Sequence, residues 1–107
     1  MNESAHVVEA HDPELIRVLL LHLGKQERSP PEAIFVSLSD LSARWKTSFE
    51  DVARALEFLS RRGLIEGPGW HQGEFFLFRK VTVKGRTLAE AIGHPRDWSA
   101  IKARYLA

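Results

Sequence analysis

A stretch of 21 residues in the middle of the chain, TSFEDVARALEFLSRRGLIEG from Thr47 to Gly67, leaves little choice about the fold around it. Phe49, Val52, Leu56 and Leu59 recur at helical spacing with Ala55 beside them, so one face of a helix must be buried. Thr47 and Glu50 are spaced as a capping box, and Ser48 with Asp51 offers the same arrangement one residue later. Gly63 stands where a left-handed C-cap belongs. Leu64 and Ile65 then begin a strand. A helix that buries one stripe and runs through a glycine into a strand needs other layers to cover it, which points to a mixed α+β domain.

The flanking sequence supplies those layers. Asp12-Pro13-Glu14 starts a helix, with Asp12 as cap, Pro13 at the first position and Glu14 at the positive end of the dipole. Leu15, Ile16, Leu19, Leu20 and Leu23 form its apolar face, and Gly24 is placed to end it. KQERSPPEA is a polar loop, and IFVSL is β-branched and aromatic enough for a short strand. Ser37 or Ser39 can cap a second helix carrying Leu38, Leu41 and Trp45. After the central helix, EGPGWHQGE is rich in turn formers and FFLFRKV makes a returning strand, so Leu64 to Val81 reads as a β-hairpin. Thr82 caps a helix with Leu88, Ala89 and Ile92 that Gly93 ends. Pro95 opens a last one, on which Trp98, Ile101 and Tyr105 share a face.

Residues 1–11 read as an N-terminal arm and 12–107 as a single domain, in keeping with a length of 107 residues. A hydrophobic content of 44% and a charged content of 27% are those of a globular chain. The absence of cysteine excludes disulfides, a thiolate nucleophile and cysteine-based zinc sites. No apolar run is longer than that from Val18 to Leu21, far short of the roughly 20 residues of a membrane span. No basic start followed by an apolar stretch lies near Met1, so the expected location is the cytoplasm. Charge is uneven. Residues 1–66 hold 8 Lys/Arg against 11 Asp/Glu, and residues 67–107 hold 7 against 3, within a total of +1. A basic C-terminal half suits phosphate, although the excess is small.

Helix, strand, helix, helix, strand, wing, strand, helix, helix is the winged helix-turn-helix plan, here with an added C-terminal helix. DPELIRVLLLHL, DVARALEFLSRRGLIEG and VTVKGRTLAEAI…DWSAIK resemble a small winged-helix family of unknown function from bacteria and their prophages. Its members carry a leading helix with LIR, a GLI entering the wing, an LT-x-x-G helix start and a closing helix that contains Trp. The resemblance covers roughly Asp12 to Lys102 and implies a fold more firmly than an activity.

On this plan the third helix is the one that enters a DNA groove. At about 100° per residue its outer side carries Glu50, Arg54, Glu57 and Arg61, spaced as two acid-to-base pairs, Glu50 with Arg54 and Glu57 with Arg61. Glutamates repel the DNA backbone, and Glu50 with Asp51 makes the leading turn acidic. The wing is the better DNA candidate. Trp70, His71 and Gln72 are expected at its tip, and Arg79, Lys80, Lys84 and Arg86 follow within reach of phosphates, unless Trp70 folds back over the hairpin and the basic residues face water. Lys46 and Ser48, just ahead of the third helix, complete the expected DNA contacts. Trp98, Ile101 and Tyr105 form a stripe that either packs on the leading helix of the same chain or serves as the dimer surface.

The five histidines show no metal-ligand spacing, and no serine, histidine and aspartate are arranged as a catalytic triad. Gly67, Gly69 and Gly73 are turn glycines, since no helix start follows them. The expectation is a non-enzymatic protein without cofactor or metal that regulates transcription by binding DNA, weakly or as a homodimer. The alternative is an interaction module that uses the same scaffold to hold another protein and does not bind DNA.

Overall fold

In a computed structural model, the chain is described over residues 12–93, together with 99, 100 and 103. Within residues 12–93, four helices and five short strands follow in the order α1 (Pro13–Gln26), β1 (Ile34–Ser37), α2 (Leu38–Trp45), α3 (Phe49–Arg61), β2 (Ile65–Glu66), β3 (Gly69–His71), β4 (Phe75–Phe78), β5 (Lys80–Val81) and α4 (Val83–Ile92). It is a compact α+β domain with two small antiparallel sheets, ordered β1-β4-β3 and β2-β5. Trp98, Ile101 and Tyr105 of the expected last helix lie outside the described residues, as does the arm of residues 1–11.

Each helix begins where a side chain accepts from its first amides. Asp12 caps α1, Ser37 caps α2, Ser48 caps α3 and Thr82 caps α4. Between the two expected capping boxes for α3, the cap falls to Ser48, whose Oγ accepts from the Asp51 amide at 3.0 Å. Gly24 does not end α1, which continues one more half-turn to Gln26. Glycine costs about 1 kcal/mol inside a helix but does not forbid it. Gly63, with φ +70°, does provide the left-handed step out of α3.

The core is a single apolar cluster. Leu19, Leu20 and Leu23 of α1 meet Val52, Leu56 and Leu59 of α3, all fully buried, under Phe76 and Phe78 of β4. Leu64, Val81, Leu88 and Ile92 close it from the α4 side. The expected hairpin from Leu64 to Val81 is present but divided. Glu66 and Lys80 are paired in one sheet, whereas Gly69 to His71 pair with Phe75 to Leu77 in the other. The break falls at Gly67, where a Cβ would stand 2.4 Å from the Leu77 carbonyl oxygen. Close approach of the two backbones there needs a residue without a side chain.

Strand β1 joins the second sheet on the far side of β4, with Ile34 opposite Phe78 and Ser37 opposite Phe75. Alternation sorts the side chains. Val36, Phe76 and Phe78 point into the core, and Phe35, Phe75 and Leu77 point away from it. No helix among the described residues is long and apolar enough to cross a membrane.

Candidate nucleic-acid interface

Helices α2 and α3 are joined by only Lys46, Thr47 and Ser48. Lys46 takes the left-handed conformation (φ 52°, ψ 48°), and its amide donates back to the carbonyls of Ser42 and Ala43. A lysine accepts this strained geometry because the tight turn satisfies the last carbonyls of α2. Lys46 is exposed, and Ser48 beside it is occupied as the cap of α3.

The outer side of α3 is not covered by another element of the described chain. Glu50 and Arg61 are exposed, and Arg54 and Glu57 are half-exposed. The expected pairing of Arg54 with Glu50 is replaced by one with Asp51, whose Oδ1 lies 2.7 Å from Arg54 Nη2. The three-residue spacing wins because Ser48 binds the Asp51 amide and Thr47 Oγ1 donates to its Oδ2, which fixes the carboxylate over the first turn. Glu57 and Arg61 form no ion pair among the described residues. The acidity of the leading turn is therefore half cancelled, and the guanidinium that cancels it is committed.

The hairpin departs from expectation in a similar way. Trp70 and His71 lie in strand β3, and only Gln72 belongs to the turn, which runs Gln72-Gly73-Glu74 with φ +57° and +77° at its first two residues. The tip is thus shorter than the composition suggested. The Trp70 indole is 40% exposed and packs edge-on against Phe76 at 5.0 Å between ring centroids, so it folds back over the sheet. Arg79 is paired with the Glu66 carboxylate across the break between the sheets. Lys80 is half-exposed and has no ion pair among the described residues. Lys84 donates to the Arg62 carbonyl at 3.0 Å, and Arg86 pairs with Glu27 at 3.1 Å. Of the expected DNA contacts, Lys46, His71, Gln72 and Lys80 remain available, whereas Arg54 and Arg79 are held by carboxylates.

Reading the sequence overlooked a group on the outer face of the β1-β4-β3 sheet. Phe35 is 61% exposed, with the His71 ring 5.6 Å and the Phe75 ring 5.5 Å away, both edge-on. The signal was present in IFVS, where Ile34 and Val36 alternate with Phe35, so burying the first two turns the third outward. A second overlooked residue is Glu27, which accepts from the Val81 amide at 2.7 Å and ties the end of α1 to β5.

His22 of α1 meets Trp45 of α2 edge-on, at 5.4 Å between ring centroids. Burial and the nearby charges of Arg44 and Lys25 hold its pKa below the ordinary 6.5. Among the described residues no group of three His, Asp or Glu side chains could hold a metal ion. Comparison of the chain with protein-family models, with curated proteins and with solved structures gives no match.

Proposed function

We propose that this chain is a non-enzymatic winged helix-turn-helix protein that binds DNA in bacterial or prophage gene control. The element order and the β1-β4-β3 strand order support that architecture, with α2 and α3 as the helix-turn-helix and β3–β4 as the wing. The α2–α3 unit carries the reading. Its three-residue turn sets α3 with one face in the core and the other uncovered, as a helix that enters a groove must be. Lys46 at that turn and Lys80 beyond the wing are the phosphate contacts of this reading, and His71 and Gln72 are its further contacts with the duplex.

Affinity on this reading is modest, because Arg54 and Arg79 must give up Asp51 and Glu66 before they can meet phosphate. A titration of duplex DNA at several salt concentrations tests it. Two lysine contacts per subunit give a log–log slope of about −2 for each subunit bound. Absence of binding at low salt, or a slope near zero, would remove the proposal.

The second reading is an interaction module on the same scaffold. The exposed group of Phe35, His71 and Phe75 favours it, since a DNA backbone gives an apolar ring little to bind.

A further inference from the structure

We propose that the free edge of β1 is a docking site for an extended peptide segment of a partner protein, which adds to the β1-β4-β3 sheet as a fourth strand. The backbone pattern is the first ground. The Leu38 amide donates to the Glu74 carbonyl at 3.1 Å, in register with the β1–β4 pairing. Antiparallel strands alternate between bonded and non-bonded pairs, so Val36 and Ile34 exchange bonds with β4. Phe35 and Ser37 therefore turn their amides, and Phe35 its carbonyl, toward the open side. β1 has no neighbour there among the described strands.

The second ground is space. Folded proteins usually cover a sheet edge, or arm it with charge or proline. Here α1 and α2 stand off from β1 and leave a groove of about 240 Å³ along all four of its residues. His22 and Gln26 of α1 form one wall, and Asp40 and Arg44 of α2 form another. No residue of α3 lines the groove, so the site is independent of whether α3 binds DNA.

The third ground is charge. Asp40 and Arg44 are exposed, and neither side chain has an ion pair among the described residues. Asp40 and Arg44 are the charged side chains among the described residues that line the groove, and the partner strand it fits brings an acidic side chain to Arg44. An apolar side chain at the alternate position covers Phe35, whose ring is mostly in solvent. Backbone bonds then supply affinity, and the acid and the apolar group supply selectivity.

The test is amide-resolved NMR of the 15N-labelled protein with an end-blocked peptide, Thr-Val-Glu-Val-Glu-Val, and its counterpart with Lys for Glu. The acidic peptide is expected to shift the Phe35 and Ser37 amides and slow their exchange with solvent. N-methylation of alternate peptide residues should weaken binding at least about tenfold, because it removes the strand bonds. Arg44→Glu, an exposed change, should reverse the preference between the two peptides. Phe35→Pro should abolish binding, since it deletes the outward amide without touching a bond to β4, whereas Phe35→Thr should retain part of it. Shifts confined to α3 or the hairpin tip would overturn the proposal. So would equal binding by the N-methylated peptide, no response at millimolar peptide, or protection of Phe35 and Ser37 by a DNA oligonucleotide instead.

Discussion

Some single residues in this domain have no tolerance for change, and Gly85 is the clearest. It lies in the first turn of α4, where a Cβ would fall 2.0 Å from the Leu64 carbonyl oxygen and 2.6 Å from Val81 Cγ1. Neither contact is the far end of a flexible side chain, so α4 itself must move off the β2–β5 pair. Gly85→Ala is expected to destabilise the protein by about 1–3 kcal/mol, the usual cost of overpacking, although alanine is the better helix former. Thermal unfolding followed by circular dichroism checks it; a variant as stable as the parent would mean that α4 sits farther out. His22 is sensitive to pH instead. Its pKa is lowered by burial first, then by Arg44 and Lys25, so the unfolded chain takes up a proton before the folded one does. The contribution of neutral His22 is therefore full above about pH 6.5 and is lost as pH falls through the lowered folded value. Denaturant midpoints for the parent should drop between about pH 7.5 and about pH 5.5, and His22→Gln should remove part of that drop.

At the scale of the element, α3 holds the balance between stability and recognition. Ser48 caps it, Asp51 holds Arg54, and the two arrangements share the same first turn. Ser48→Ala should cost about 1 kcal/mol through the lost cap. Asp51→Asn is more informative, because it frees Arg54 while Ser48 still caps the helix. If α3 meets DNA, this change raises affinity and steepens the salt slope by about one unit, as one more cation reaches phosphate. Unchanged binding would take α3 out of the interface and leave it to the wing. Most elements could be read from the sequence, because caps and apolar stripes are local signals: Asp12, Ser37, Ser48 and Thr82 all start helices as expected. What could not be read was contact between residues distant in sequence. Arg79 meets Glu66, Trp70 meets Phe76, and Glu27 meets Val81 through packing that no periodicity encodes. For Arg54 the spacing allowed two partners, and Ser48 with Thr47 selected the nearer one.

At the scale of the whole molecule, the number of available cations decides how the protein could act on DNA. Lys46 and Lys80 are the phosphate contacts proposed for one copy, and the first turn of α3 still exposes Glu50. A single copy therefore has a small and weakly charged footprint, and two half-sites are the usual remedy for such a fold. A regulator built this way has to dimerise. Trp98, Ile101 and Tyr105, spaced along one face, remain the proposed surface, with Trp98 as anchor because buried aromatics dominate interface energetics. Sedimentation across a concentration series is expected to show a dimer for the native protein and a monomer for Ile101→Asp. DNA titrations of the same two proteins should then differ in slope by about a factor of two, since half the phosphate contacts are lost with the partner. A native protein that stays monomeric at high concentration would remove the dimer and most of the case for DNA. A native dimer that survives Ile101→Asp would keep the assembly and place its interface elsewhere.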